Sequence, residues 1–262
     1  MTADIHPTSW SRAVDELADP AAVAVAGGTG VQPWLTTTGD TPSALVHLRD
    51  IREAWDVETT TDGLRLGAMV AVGHSAFDAW FGDDGAGWFA TPAVRRRATV
   101  VGNLVSRLGP RELGPVLIAA GAQIRTWSSA AEPGWRSAEH VLREGLPNGA
   151  LAMQVELCRP ERISYRRVSP RSRMSRVEVG LCAAIGPGCG AALMAETGGH
   201  AHRVDDADAG LARPNGRADF VASVRHGLAA AFSSNDIGDE LMTMVTALAE
   251  RVHDDLHHGK SL

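Results

Sequence analysis

Two glycine-bearing segments carry the residues best suited to chemistry. Ala26-Gly27-Gly28-Thr29-Gly30 directly follows the apolar run Val23-Ala24-Val25. Thr99-Val100-Val101-Gly102-Asn103-Leu104 comes just after Thr91-Pro92-Ala93-Val94-Arg95. A glycine-rich turn leaving a strand brings bare backbone N–H groups up to a phosphate, because no Cβ blocks the approach. Two such turns can hold the two phosphates of a dinucleotide from opposite sides. The amides of Gly27, Gly28 and Thr29 are expected to face one phosphate, with the Thr29 hydroxyl as a further donor. Amides around Gly102 and Asn103 are expected to face the other, with Thr99 supporting that turn. Ordinary turn chemistry is the competing role for Thr99 and Asn103.

Other chemistries lack their residues. Gly27 to Gly30 does not have the GxGxxG spacing of a Rossmann fingerprint. There is no nucleophile elbow, no HExxH and no complete P-loop. The three cysteines, Cys158, Cys182 and Cys189, show no CxxC spacing. They read as ordinary reduced thiols rather than ligands of an iron–sulfur cluster or zinc. His253 and His257 have the i,i+4 spacing of a helical metal pair, but their polar surroundings favour a solvated helix end. The basic run Arg95-Arg96-Arg97 and the group Arg166, Arg167, Arg171, Arg173 and Arg176 stand out in an acidic chain. They suit a solvated face, intrachain pairing, phosphate contact or an acidic partner face.

The elements that must position these residues come from a chain of 262 residues, 44% hydrophobic and 21% charged, with net charge -6. That size supports a large core and two or more subdomains. The charge argues against non-specific binding to nucleic acid or anionic membranes. No apolar run is long enough to span a bilayer, and Met1 to His6 have neither the basic nor the apolar part of a signal peptide.

A helix is expected around Ala13, Val14, Leu17 and Ala18, capped by Ser9 or Ser11 and ended by Asp19-Pro20. Strands are expected at Val23 to Ala26 and Ala44 to Leu48. A hairpin is expected to turn on Asp62-Gly63. Further on come a helix over Val72 to Phe81, a buried helix over Leu113 to Ala120, and a strand over Ala122 to Trp127. A short helix at Ala138 to Leu142 and a strand at Ala150 to Leu157 follow. Past a boundary near Cys158 to Ile163, strands are expected at Ile163 to Val168, Val177 to Ile185 and Ala191 to Ala195. Helices over Ala218 to Phe232 and Asp239 to Asp255 would cover them.

In this order the motifs resemble those of the FAD-binding medium subunit of the molybdenum hydroxylases, the carbon monoxide dehydrogenase and xanthine dehydrogenase family. The family's opening helix and AGGT appear as Pro7-Thr8-Ser9, Ala13, Leu17 and Ala26-Gly27-Gly28-Thr29. Its "LVDLR-x-I" appears as Leu45-Val46-His47-Leu48-Arg49-Asp50-Ile51, and its "L-x-I/L-G-A" as Leu64 to Ala68. Its "P-x-V-R-N-x-A-T-I-G-G-N-L" appears as Pro92 to Leu104. Pro110 to Ala122 align without a gap to "A-A-D-L-P-P-A-L-L-A-L-G-A". Tyr165-Arg166-Arg167 and Arg171 are similar to the "Y-x-K" strand and arginine loop.

The resemblance implies an α+β fold: a two-part FAD-binding domain of the vanillyl-alcohol-oxidase type over residues 1–158, with subdomains of about 1–55 and 56–158. A small antiparallel sheet with helices would follow over residues 159–262. It implies FAD as cofactor, a molybdopterin-binding large subunit and an iron–sulfur small subunit as partners, and a cytoplasmic complex. Electrons would pass from the iron–sulfur partner through FAD to an acceptor. The implied cofactor-binding residues are Ala26, Gly27, Gly28, Thr29, Gly30, Thr99, Val100, Val101, Gly102, Asn103, Glu112 and Arg167. Among these, Asn103 and Glu112 would meet ribose or adenine-side groups, and Arg167 the flavin or its phosphates.

The departures fall in these motifs. Val101 replaces the first glycine of the second turn, Gly30 a polar residue, Glu112 an aspartate and Arg167 a lysine. A β-branched residue at 101 is expected to obstruct backbone approach or to strain the turn. A flavin-free or flavin-weak scaffold or interaction protein that keeps the family fold is the alternative reading.

Overall fold

The computed structural model describes residues 2–82, 86–106, 111–169, 177–195, 201–231 and 238–258. The described chain forms three sheets. The first is parallel, with strands β1 (Ala3–Ile5), β2 (Val23–Val25) and β3 (Ala44–His47) in the order β1-β3-β2. Helix α1 (Trp10–Glu16) connects β1 to β2 and starts at Ser9, whose hydroxyl accepts from the Arg12 amide at 3.4 Å. Ala13, Val14 and Leu17 are buried on its inner face, whereas Ala18 is exposed. Helix α2 (Val31–Thr38) connects β2 to β3. The sequence hides it: Pro33 and three successive threonines weaken helix propensity, and none of its residues is buried. It forms because the first glycine turn hands the chain directly to Gly30 and Val31.

The second sheet has five strands in the order β4-β5-β8-β6-β7: β4 (Val57–Thr59), β5 (Gly63–Gly67), β6 (Gln123–Ser128), β7 (Ala131–Ser137) and β8 (Leu151–Cys158). The β4–β5 hairpin closes one residue earlier than Asp62-Gly63 suggests. The Thr60 amide donates to the Gly63 carbonyl at 2.9 Å, which leaves Thr61-Asp62 as the loop. Strands β6 and β8 alternate, with Ile124, Val155 and Leu157 buried and Gln123 and Arg125 exposed. The edge strand β7 carries Pro133 and Gly134 and buries little, so no apolar alternation announces it. Helices α3 (Ser75–Phe81), α5 (Val100–Leu104) and α7 (Ala138–Glu144) pack against this sheet, and α4 (Pro92–Arg95) and α6 (Gly114–Ala119) belong to the same stretch of chain.

The third sheet is antiparallel, in the order β12-β11-β10-β9: β9 (Arg162–Val168), β10 (Val179–Ile185), β11 (Ala191–Ala195) and β12 (Ala201–Arg203). Its central strands are buried on both faces. Leu181, Ala183, Leu193 and Ala195 face a core built with α8 (Asp208–Leu211), α9 (Arg217–Ala231) and α10 (Asp239–His258), including Phe220, Val224 and Val252. Cys182, Ala184, Ala192 and Met194 belong to the larger core of the preceding sheets. Helix α6 joins the two bodies. Its last turn leaves carbonyls without intrahelical partners, and these reach both sheets. The Cys158 amide donates to the Ala120 carbonyl at 3.1 Å, and the Gly190 amide to the Ala119 carbonyl at 2.9 Å.

Two sequence expectations are corrected. Cys158 and Cys189 form a disulfide, because this junction brings the end of β8 to the β10–β11 turn; Cys182 is a free, buried thiol. His253 is not at a solvated helix end. It is fully buried, and Nε2 of His253 and His257 meet the carbonyls of Arg213 and Leu211 at 3.2 and 2.9 Å. Among the described residues, no group of three or more His, Cys, Asp or Glu is placed to hold a metal ion. No described helix is long and apolar enough to cross a membrane. Arg171, Arg173 and Arg176 lie outside the described residues.

Candidate functional site

The first turn leaves β2 at Val25 and enters α2 at Val31. Gly27 has no room for a side chain, since a methyl group there would collide with the Arg97 carbonyl oxygen. This close approach fixes the two glycine segments against each other, backbone to backbone. Gly28 takes φ +75°, a left-handed conformation that suits glycine. Among the described residues, the amides of Gly28, Thr29 and Gly30 have no acceptor within the chain. Gly30 caps α2 without a side-chain hydrogen bond. Unpaired amides at the start of a helix favour an anion.

The second segment is built differently from the expected glycine turn. Thr99 opens the short helix α5, and its Oγ1 accepts from the Gly102 amide at 3.0 Å. The Asn103 amide donates to the Thr99 carbonyl at 3.0 Å. The two amides expected to face a phosphate are therefore already engaged inside the chain. Gly102 is required for a local reason: a Cβ there would lie 2.5 Å from Thr99 Oγ1. Val101 sits in ordinary helical backbone and is not a positive-φ residue, so the expected backbone strain is absent.

A cleft of about 620 Å³ opens between the two segments. Ala26, Gly27, Gly28, Thr29, Gly30, Thr99, Val101, Gly102 and Asn103 line it. Val100 does not; it is fully buried in the core behind α5. Asn103 Oδ1 accepts from the Leu113 amide at 3.1 Å, tying α5 to the start of α6.

Glu112 and Arg167 do not line the cleft either. They form an ion pair with each other, and both side chains are only 11% exposed. Glu112 thus answers the β9 cation across the α6 junction. Burial pulls the Arg167 guanidinium below its ordinary pKa. Arg166 pairs with Asp255 of α10 at 2.7 Å. Arg95 serves the loop before α4, where Nη1 donates to the carbonyls of Phe89 and Ala90 at 2.7 Å.

Among the cleft residues that escaped the sequence reading are Trp34, Ser106 and Arg111. Arg111 had a visible signal, a cation directly before Glu112 in an otherwise apolar block. Trp34 lies on the helix whose low propensity concealed it. The site can therefore take an elongated ligand with an anionic centre against Gly28 to Gly30. The cleft volume, the left-handed Gly28 and the unpaired amides suit the pyrophosphate of a dinucleotide such as FAD.

Comparisons with known proteins agree with this fold. The crystal structure of quinoline 2-oxidoreductase from Pseudomonas putida 86 matches with TM-score 0.79 and 23% identity, covering 100% of this chain and 99% of that one. Reconstituted CO dehydrogenase from Oligotropha carboxidovorans matches with TM-score 0.83 and 17% identity, covering 99% of both chains. Carbon monoxide dehydrogenase from Hydrogenophaga pseudoflava matches with TM-score 0.74 and 16% identity, covering 96% of this chain and 95% of that one. Among curated proteins, none matches the chain by sequence. The family model for the FAD binding domain in molybdopterin dehydrogenase matches residues 2–155, more than half of the chain. Fold and family model together make this chain a member of the family of FAD-binding domains of molybdopterin dehydrogenases.

Proposed function

We propose that this chain is the FAD-binding electron-transfer subunit of a molybdopterin-dependent dehydrogenase or hydroxylase. The observation that carries the reading is the cleft between β2 and α5, with the amides of Gly28, Thr29 and Gly30 left without acceptors. In this reading Gly28 to Gly30 hold the pyrophosphate, and Trp34 and Val101 wall the cleft. Bound there, FAD supplies redox chemistry that no side chain of the site provides. The partners are a molybdopterin-binding large subunit and an iron–sulfur small subunit, whose electrons reach an acceptor by way of this chain, and the complex belongs to the cytoplasm. Residues 1–158 form the cofactor-binding part, divided near residue 55, and residues 159–262 form a unit that covers it. A flavin-free scaffold is the second reading. It draws on one observation, that the amides of Gly102 and Asn103 are engaged by Thr99.

An absorption spectrum of the purified protein, before and after incubation with FAD and dialysis, separates the two. Retained flavin bands that bleach with dithionite are expected. A protein that stays colourless after reconstitution would overturn the flavoprotein reading.

A further inference from the structure

Arg111 lines the cleft, and its guanidinium is held in place by two backbone carbonyls. Nε donates to the Ser106 carbonyl at 3.0 Å and Nη1 to the Leu142 carbonyl at 2.9 Å. A guanidinium has five N–H donors, so these two bonds orient the fork without exhausting it. Ser106 links the cation to the first turn: a Cβ built on Gly30 would lie 2.8 Å from Ser106 Oγ. The guanidinium and the amides of Gly28, Thr29 and Gly30 therefore line the same cleft. Among the described residues, no carboxylate pairs with the guanidinium. Burial pulls its pKa below the ordinary arginine value, as expected of a cation withdrawn from water without a counter-charge. The contrast with Arg167 is direct, since that buried cation has its carboxylate in Glu112.

We propose that Arg111 binds the diphosphate of the ligand, acting as the counter-charge that the engaged α5 amides do not supply. The cleft then selects ligands with a nucleoside 5′-diphosphate over the same nucleoside without phosphates. This inference rests on the FAD reading above, and the position is one where that reading assigned no role to a side chain.

The test titrates wild type, Arg111→Gln and Arg111→Lys with FAD, ADP and adenosine by calorimetry at low and high salt, with circular dichroism as the fold check. Arg111→Gln should weaken FAD and ADP by about tenfold or more, the scale of one lost charge-assisted fork. Adenosine should be unaffected. The salt dependence of ADP binding should flatten in Arg111→Gln and persist in Arg111→Lys. Equal losses for ADP and adenosine would overturn the proposal, because Arg111 would then only tie Ser106 to Leu142. Unchanged ADP binding in a folded Arg111→Gln would overturn it as well. If Arg111→Gln fails to fold, Arg111→Met decides: it keeps the apolar stem and removes the charge, so a selective loss for ADP and FAD supports the proposal, and no loss or an equal loss for adenosine overturns it. Wild type that binds neither FAD nor ADP would instead defeat the flavoprotein reading, a separate and recognisable outcome.

Discussion

Glu112 and Arg167 show how a residue can match a cofactor motif and yet serve the scaffold. Each is charged and nearly enclosed, and each is the other's counter-ion at the junction of α6 and β9. Removing one partner leaves an uncompensated charge out of water, whereas removing both leaves an apolar gap that can repack. Glu112→Gln should destabilise the protein by about 3–5 kcal/mol, measured as a shift of the urea midpoint. The double variant Glu112→Leu, Arg167→Met should recover most of that loss. Full additivity of the two single losses would mean that the pair does not interact. At this scale the sequence was legible for Gly27 and Gly28, because only glycine survives the Arg97 contact and the left-handed backbone. It was not legible for Glu112, Arg167 or Arg111. Which charge meets which is decided by long-range packing, and no local spacing encodes it.

Elements announced themselves where burial imposed a period. Strands β6 and β8 alternate, α6 is apolar throughout, and α10 carries Val245, Leu248, Ala249, Val252 and Leu256 at helical intervals. Two of the elements that went unread, α2 and β7, bury almost nothing and contain proline. The second glycine segment was misread for a related reason: Thr99 caps a helical turn as readily as it supports a loop. The α10 histidines make an element-scale prediction. His253 is buried, Nε2 faces the Arg213 carbonyl, and Nδ1 has no partner. Burial lowers its pKa, and His257, with ring centroids 4.5 Å apart, lowers it further. With the folded value below the unfolded value of about 6.5, the unfolded state binds more protons as pH falls. This contribution to stability is complete above about pH 6.5 and is lost as pH falls through the folded value. The thermal midpoint should therefore drop as pH falls below about 6.5, and His253→Gln should reduce that slope. Identical slopes would remove His253 as the titrating group.

On the scale of the whole molecule, the five-stranded sheet and the antiparallel sheet meet at α6. Its terminal carbonyls bind the end of β8 on one side and the β10–β11 turn on the other. Of these two sheets, the antiparallel one with its helical cover could be read from the order of elements. Their meeting point could not, because it depends on backbone contacts such as the collision a side chain on Gly121 would make with the Gly188 carbonyl. The Cys158–Cys189 cross-link lies at this same meeting point and closes a loop with sequence separation 31. Closing a loop of that length in the unfolded chain is worth about 3–4 kcal/mol in the chain-entropy account. The protein denatured without reductant should show one reactive thiol, from Cys182, and three after reduction. Cys189→Ser should lower the unfolding free energy by about that amount and leave wild-type protein in reductant equally destabilised. Three thiols without reductant would mean that α6 and its backbone bonds hold the two bodies together without a covalent tie. In that case Cys189→Ser would cost only the packing of one small side chain, and stability would not respond to reductant.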